Sequence, residues 1–417
     1  MTDVFSPLPE GWTETRLDRI ATVNARIGWK ALTSAEYQPD GYAFLATPNI
    51  KNSEINFTNV NYISEFRYHE SPELQLQIGD VLLAKDGNTL GIVNIVRHLP
   101  RAATVNGSIA VLRSFGMEPR FLRYVIQSSF IQGHINSVKD GMGVPHLFQR
   151  DIKRFPLPEP PIEEQRRIAG FLDAEVGRID HLVAKKHQLI ELLNERINSR
   201  VLGHVGASTL ACKNGAPATP IRRILEKVVR PPKAGEDTIT AYRDGQVAAR
   251  SARRAEGYTL SASTEPQGQH VEFGDVVVHG LDGFAGAVGT SESRGNCSPV
   301  YHVCVPRGDN DAQFIGRLLR LLALQGYLGN FATSTRERAV DFRNWDLFGR
   351  IPIPVVPLSE QREIGNWISR IPPLREVIQR SVALAAERRQ ALITAAVTGQ
   401  FDVSTASGRN VTEGVSA

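Results

Sequence analysis

Apolar residues recur every three or four positions from residue 168 to residue 201, and this spacing predicts one long amphipathic helix. The apolar positions are Ile168, Phe171, Leu172, Val176, Ile179, Leu182, Val183, Leu189, Ile190, Leu193, Ile197 and Val201. Prolines at 160–161 and acidic residues at 163–164 mark its start, and glycines at 203 and 206 mark its end. A helix of about 40 residues is roughly 60 Å long, so its apolar stripe needs a partner of similar length.

A second copy of this pattern begins near Leu358 and runs to about Val397. It is interrupted by Ile371-Pro372-Pro373, and proline inside a helix removes a hydrogen-bond donor and clashes with the preceding turn. The pattern therefore predicts two helices over about 358–370 and 373–397. We expect this region to pack antiparallel against the first long helix.

The two helical regions belong to a longer internal repeat. Aligning Gln165 with Gln361 places "PPIEEQRRIAGF" over "VPLSEQREIGNW". Upstream, "LQIGDVLLAKDGNTLGIV" at 76–93 resembles "VEFGDVVVHGLDGFAGAV" at 271–288, with Gly79 on Gly274 and Asp80 on Asp275. The chain is therefore one unit written twice, with insertions in the loops between shared elements.

Each region upstream of a long helix alternates short apolar runs with turn residues. "GDVLLA" and "GDVVVH" are typical of buried strands that follow a Gly-Asp turn. Residues 118–135 and 311–328 instead have helical spacing. We therefore expect an α+β protein in which two mixed α/β domains are held apart by two long antiparallel helices, with pseudo-twofold symmetry. The predicted boundaries are 1–156, 157–206, 217–352, 353–402 and a flexible tail at 403–417.

Charge, apolar runs and cysteine count limit the kind of protein and the compartment that the sequence predicts. The net charge is +4 from 48 basic and 44 acidic side chains, so a nucleic-acid binder must gather its Lys and Arg on one face. A start without a basic, apolar leader and the lack of an 18-residue apolar run predict a cytoplasmic protein without membrane spans. Three cysteines suit a reducing compartment. Cys297, His302 and Cys304 are better explained as residues of a buried strand than as a zinc site.

Motifs of catalysis are missing from the sequence. It contains no GxxxxGK[ST], GxGxxG, HExxH, CxxC or GxSxG pattern and no Asn-Pro-Pro or Asp-Pro-Pro core of an amino-methyltransferase. We therefore predict no catalytic residue, no metal and no cofactor in this chain.

Two segments that close the variable regions match a known family. "FPLPEPPIEEQRRI" at 155–168 and "IPIPVVPLSEQREI" at 351–364, each followed by a long helix, resemble the specificity subunit of type I restriction–modification systems. The "GDVLLAKDGNTLGIV" stretch also resembles an element of that family's recognition domains. The resemblance extends over essentially the whole chain.

The resemblance implies a function in host defence and DNA methylation. By this resemblance, each variable region would be a target recognition domain that reads one half of a split, asymmetric site in double-stranded DNA. The paired, coiled-coil-like helices would space the domains and dock two methyltransferase subunits, which would bring S-adenosylmethionine. Restriction/translocase subunits would bring ATP and Mg. The chain itself is expected to be a non-catalytic DNA-binding subunit.

The candidate DNA contacts are polar or basic side chains on predicted loops, because such side chains read base edges and hold phosphates. They are Lys85, Asn88, Thr89, His146 and Arg150 in the first domain, and Arg250, Arg253, Arg254, His279, Thr335, Arg336 and Arg338 in the second. The candidate subunit-docking residues are Leu182, Leu189, Leu193 and Ile197. Lys85 and Asn88 are equally explained as turn residues, and Gln165 and Gln361 are expected to pack at the helix starts.

Two other functions stay open at this point. The chain could be a fused or stand-alone enzyme related to DNA methyltransferases, which predicts tight binding of S-adenosylmethionine. It could also be a coiled-coil scaffold without a DNA role, which predicts no duplex binding that weakens as salt rises.

Overall fold

A computed structural model describes residues 8–26, 32–51, 53–139, 144–204, 218–253, 268–331 and 341–405. The chain divides into two compact units. Unit 1 consists of Met1–Ala184 and Ser381–Ala417, and unit 2 is Lys185–Arg380. Each unit therefore contains a mixed α/β domain and a part of both long helical regions.

Unit 1 has short strands and short helices ahead of the first long helix. The strands are β1 Thr13–Arg16, β2 Ala21–Ala25, β3 Tyr42–Leu45, β4 Asn61–Ile63, β5 Val81–Ala84, β6 Val93–Ile95, β7 Ala103–Val105, β8 Ile109–Ser114 and β9 Pro156–Glu159. The helices are α1 Leu17–Ile20, α2 Thr47–Ile50, α3 Glu65–His69, α4 Pro119–Gln127, α5 Ser129–Val138, α6 Gln149–Ile152 and α7 Ile162–His204, which continues into unit 2.

The centre of unit 1 is a four-stranded antiparallel sheet in the order β2-β8-β5-β6. All four side chains of strand β5 are buried. Since successive side chains point to opposite sides of a strand, both faces of β5 are covered. Val81 and Leu83 pack into the larger core with α4 and α7, whereas Leu82 and Ala84 pack into a second core under the β4-β3-β7 sheet. This double burial explains the continuous apolar run in the sequence.

Unit 2 repeats this arrangement. Its strands are β10 Thr219–Pro220, β11 Leu225–Val228, β12 Ile239–Ala241, β13 Val247–Ala249, β14 Gln269–Val271, β15 Val276–His279, β16 Val288–Thr290, β17 Gly295–Cys297, β18 Tyr301–Pro306 and β19 Pro352–Ile353. Its helices are α8 Ile221–Ile224, α9 Ala312–Leu324, α10 Trp345–Phe348, α11 Leu358–Ile368 and α12 Ile371–Val397, which continues into unit 1. The central sheet has the order β11-β18-β15-β16, so β15 takes the place that β5 has in unit 1.

The predicted helices are confirmed, with one shift. Helix α7 is continuous over Ile162–His204, and the second region is broken between Ile368 and Ile371. Pro372 and Pro373 lie in the first turn of α12, where the missing donor would have no partner in any case. The prolines thus begin the second helix, and the break precedes them.

Within each unit the two helical regions run antiparallel. In unit 1, Phe171 contacts Phe401, and further along α7 the Asp180 carboxylate accepts a hydrogen bond of 3.2 Å from the Arg389 guanidinium. In unit 2, Arg200 pairs with Glu363 and lies 4.9 Å from the centre of the Trp367 ring. The two helical regions therefore contact each other in both units.

The repeated glutamine fixes each long helix to its own domain, as expected. Gln165 is buried, accepts a hydrogen bond of 2.8 Å from the Glu118 backbone N–H and donates one of 2.8 Å to the Pro160 carbonyl. Gln361 accepts from the Asp311 N–H at 3.1 Å and donates to the Val356 carbonyl at 2.9 Å. Glu118 and Asp311 are the N-cap residues of α4 and α9. One side chain therefore joins the starts of two helices in both units.

Replacing Gln165 with alanine is expected to destabilise unit 1 by about 2–6 kcal/mol, because two buried backbone groups would lose their partner at roughly 1–3 kcal/mol each. Urea unfolding of the full chain, followed by intrinsic fluorescence, measures this loss. The control is Arg167→Ala, because Arg167 is exposed two residues further along the helix. Equal stability of the two variants would contradict this role of Gln165.

Cys297 and Cys304 are buried strand residues, as predicted. Burial raises the pKa of the Cys297 thiol to about 12. His302 lies on the same strand as Cys304 and donates from Nε2 to the Phe342 carbonyl at 2.5 Å.

In the part of the chain that the structure describes, no helix is long and apolar enough to cross a membrane.

Candidate nucleic-acid interface

The same turn leads into the central strand of each unit. Gly79 and Gly274 have φ angles of 96° and 88°, which favour glycine, and each is followed by a buried aspartate. Asp80 accepts two hydrogen bonds of 2.8 Å from Arg113. The matching Asp275 instead pairs with Arg230. Both units therefore pair this aspartate with an arginine, but the arginine lies on β8 in unit 1 and after β11 in unit 2.

Strand β5 ends at a pair of loops, residues 85–90 and 144–150, which we call loop pair 1. The Lys85 N–H donates to the Ser108 carbonyl at 2.8 Å, and the Lys85 carbonyl accepts from Leu147 at 2.9 Å. Gly87 N–H donates to the Pro145 carbonyl at 2.8 Å. The His146 imidazole Nδ1 contacts the Asp86 carboxylate. These contacts join two segments that are far apart in sequence.

Loop pair 1 brings together the five candidate residues of the first domain. Lys85 is buried, and its ammonium group lies 3.2 Å from the Asp86 carboxylate, so its side chain supports the loop. Thr89 donates its hydroxyl to the Asp86 carbonyl at 3.2 Å. Asn88 is exposed, and the Arg150 side chain is 72% exposed. Asn88 and Arg150 are therefore the members most available to a ligand.

Unit 2 has a matching loop pair, residues 279–287 and 341–344, which we call loop pair 2. Gly280 N–H donates to the Val300 carbonyl at 3.0 Å, and the Gly280 carbonyl accepts from Phe342 at 2.7 Å. These bonds repeat those of Lys85 with Ser108 and Leu147. A side chain at Gly280 would bring its Cβ within 2.5 Å of the Val300 oxygen, which explains why unit 1 can carry lysine here and unit 2 cannot.

His279 is the last residue of β15 and the first residue of loop pair 2. Its Nδ1 accepts hydrogen bonds from the backbone N–H groups of Leu281 at 3.1 Å and Asp282 at 3.0 Å. Burial lowers the pKa of His279, and accepting two bonds at Nδ1 also favours the neutral ring. A neutral His279 that caps the turn does not supply the positive charge of a phosphate contact.

The basic run after β13 is only partly described. Arg253 lies 4.1 Å from the centre of the Tyr242 ring and pairs with Asp244 at 2.8 Å. Arg250 is half-buried, and its N–H donates to the Thr238 carbonyl at 2.8 Å. The remaining candidates lie outside the described residues: Arg254, Thr335, Arg336 and Arg338.

The candidate docking residues separate into exposed and buried positions. Leu182 in unit 1 is 56% exposed, and Leu189 in unit 2 is 45% exposed. Leu193 is half-buried. Ile197 is only 5% exposed because it packs into the core of unit 2 with Phe314 and Leu318. Its inclusion among docking residues was wrong, since it already has its partners inside its own unit.

Two features of the loop pairs were missed from sequence. Asp86 holds both Lys85 and His146, and Phe148 lies 4.8 Å under the Arg150 guanidinium. Leu147 and Phe342 differ by 195 positions, the same offset that relates Gly79 to Gly274. Applying the offset of 195 to residues 144–150 as well would have aligned the second segments of the two loop pairs from sequence alone.

One family model matches the first part of the chain. Residues 9–192 match the family model described as "Type I restriction modification DNA specificity domain". The predicted resemblance to type I specificity subunits is confirmed, and loop pair 1 lies within the matched residues.

Two curated relatives carry the corresponding name. The chain is 23% identical over 207 residues to the "Type I restriction enzyme StySPI specificity subunit" of Salmonella potsdam, which covers 49% of this chain and 44% of the relative. It is 24% identical over 200 residues to the "Type I restriction enzyme EcoKI specificity subunit" of Escherichia coli K12, which covers 47% and 42%. These matches therefore span less than half the length of the curated relatives.

A solved structure shares the fold over almost the whole chain. It is described as "Structural basis underlying complex assembly and conformational transition of the type I R-M system", and one of its chains matches with a TM-score of 0.61 and 15% identity. The match covers 94% of this chain and 99% of that chain. The predicted fold class, with two mixed domains connected by long helices, is confirmed.

Proposed function

We propose that this chain is the DNA-recognition subunit of a type I restriction–modification complex and that each unit reads one half of a split site. The observation that carries the proposal is the repetition of the loop pair, because unit 2 rebuilds the same backbone hydrogen bonds around a different set of side chains. A shared backbone frame with different exposed residues is suited to reading two different half-sites. The target site is therefore asymmetric.

The exposed residues of loop pair 1 have the chemistry of duplex recognition. The Arg150 guanidinium suits a phosphate or the edge of guanine, and the Asn88 amide suits the edge of adenine. Phe148 holds the guanidinium by a cation–π contact, so Arg150 has less freedom to lose on binding. Lys85, Asp86 and His146 then act as the internal frame that presents them.

The proposal extends to partners that this chain does not contain. Methyltransferase subunits, two for each chain, dock on the exposed apolar positions of the long helices and bring S-adenosylmethionine. Restriction/translocase subunits add ATP- and Mg-dependent activity. This chain supplies recognition and no catalysis, and it works in the cytoplasm, where bacterial and archaeal DNA lies.

Mapping methylated bases in host DNA with and without this gene tests the proposal as a whole. We expect one split adenine motif with two unlike halves to lose its methylation when the gene is deleted. Identical methylation in both strains would contradict a role in recognition. Binding of S-adenosylmethionine to the isolated chain would favour an enzyme instead.

Arg150→Ala is expected to reduce the salt dependence of duplex binding. Each phosphate contact releases counterions and contributes about 0.9 to the slope of log K against log salt. Loss of one contact should therefore lower the slope by about that amount, as measured by fluorescence anisotropy with a labelled duplex at several salt concentrations. Arg167→Ala is the control, since Arg167 is exposed on α7 and lies outside loop pair 1. An unchanged slope for Arg150→Ala would remove Arg150 from the phosphate contacts.

A further inference from the structure

Unit 2 contains a cavity of about 200 Å³ between its domain and its parts of the long helices. Its walls come from α7, α9, the start of α12 and the turn at 244–246. Four arginines line it, namely Arg253, Arg317, Arg320 and Arg375. The acids that line it are Asp244 and Glu292.

The two acids are already paired. Glu292 accepts from Arg375 at 2.5 Å, and Asp244 pairs with Arg253 at 2.8 Å. Arg317 donates from Nη2 to Asn194 Oδ1 at 2.8 Å, and Arg320 donates from Nη2 to the Arg243 carbonyl at 3.3 Å. Within the described residues, neither Arg317 nor Arg320 forms a salt bridge with a carboxylate.

Arg317 and Arg320 also have unused donors. The Nε atoms of both side chains are buried and have no hydrogen-bond partner in the described part of the chain. Burial, together with repulsion from Arg320 and Arg375, lowers the pKa of Arg317 to about 10. The lining carries four guanidinium groups and two carboxylates, so the cavity has an excess of positive charge and the electrostatic character of an anion site.

At the corresponding junction in unit 1, between the domain and α7, a carboxylate on α7 pairs with arginines of the domain. There the Asp173 carboxylate on α7 accepts hydrogen bonds from Arg97 at 2.5 Å, Arg120 at 3.3 Å and the Tyr124 hydroxyl at 2.8 Å. At the offset of 196 that aligns the long helices, the residue in place of Asp173 is Ser369. The long helix of unit 1 thus supplies a carboxylate at this position, whereas the carboxylates at the unit 2 cavity, Asp244 and Glu292, already pair with Arg253 and Arg375.

We propose that the cavity of unit 2 binds a phosphate group, with Arg317 and Arg320 donating their free Nε–H groups to its oxygens. A tetrahedral oxyanion supplies several acceptors to converging guanidinium donors and offsets the excess of guanidinium groups over carboxylates in the lining. Its source is either free phosphate, including a small phosphorylated metabolite, or the backbone of DNA. This site is separate from the loop pairs and adds to the proposed function.

Isothermal titration of sodium phosphate into the full chain tests the site, with chloride matching the ionic strength. We expect saturable binding, and about tenfold or greater loss of affinity in Arg317→Gln and in Arg320→Gln, because each removes a charge-assisted hydrogen bond. Arg223→Gln is the matched control, since Arg223 is exposed in unit 2. Two separate variants keep the test valid should one of them fail to fold.

A competition arm identifies the source of the phosphate. If free phosphate is the ligand, it leaves the affinity for a labelled duplex unchanged at constant ionic strength, and both variants bind duplex like the parent chain. If the ligand is the DNA backbone, phosphate competes with duplex and both variants bind duplex more weakly. Absence of saturable phosphate binding, or binding that both variants retain in full, overturns the proposal, whatever the outcome for DNA recognition.

Discussion

Changing Leu189 and Leu192 together to glutamate is expected to prevent assembly with the methyltransferase subunit while leaving unit 2 folded. The two side chains are 45% and 53% exposed and lie three residues apart, on one face of α7. Buried in an interface, each leucine contributes roughly 1.5–3 kcal/mol, and an unpaired carboxylate in its place costs more. A combined loss above about 4 kcal/mol lowers affinity roughly 1,000-fold.

Co-purification with the methyltransferase subunit measures assembly, and thermal unfolding of the isolated chain checks that the variant folds. His187→Glu is the control, because it adds a carboxylate at an exposed polar position on another side of the same helix. Ile197→Glu should behave in the opposite way and unfold unit 2, since Ile197 lies in its core. Normal assembly of the double leucine variant would show that the subunit docks elsewhere.

Asp86→Ala is expected to weaken recognition of the specific site about 10- to 100-fold, because it removes the carboxylate that holds both Lys85 and His146 in loop pair 1. Hydrogen bonds to charged groups contribute about 1.5–3 kcal/mol each, which corresponds to this range. Non-specific duplex binding should change little, because the exposed Arg150 is retained. The informative quantity is therefore the ratio of the two affinities, measured with duplexes that contain or lack the methylated motif.

The control for Asp86 is Asp40→Ala, which breaks an exposed ion pair with Arg101 in the same unit. Exposed pairs are screened by solvent and contribute little, so specificity should stay unchanged. Lys85→Met combined with Asp86→Asn removes both charges of the buried pair, so no buried charge is left without a partner. Any loss of specificity in this double variant therefore does not come from an unpaired buried charge that unfolds the loop. Full specificity in Asp86→Ala would exclude loop pair 1 from the DNA interface.

Local patterns in the sequence determined the elements and their duplication. The apolar spacing of α7, the prolines near residue 372 and the Gly-Asp turns before β5 and β15 act through neighbours a few residues away, so they can be interpreted without a fold. The buried glutamines followed from the repeat as well. These features were sufficient to predict two α/β domains and two long helical regions.

Only the tertiary structure decided what each side chain does. Leu189 and Ile197 belong to one helical stripe, yet one is exposed and the other is in a core, because the domain covers only part of that stripe. Asp86 and His146 meet across 60 residues of sequence, and within the described residues Arg317 lines a cavity whose two carboxylates pair with other arginines. Burial and charge pairing depend on contacts between distant segments, and no local spacing encodes them.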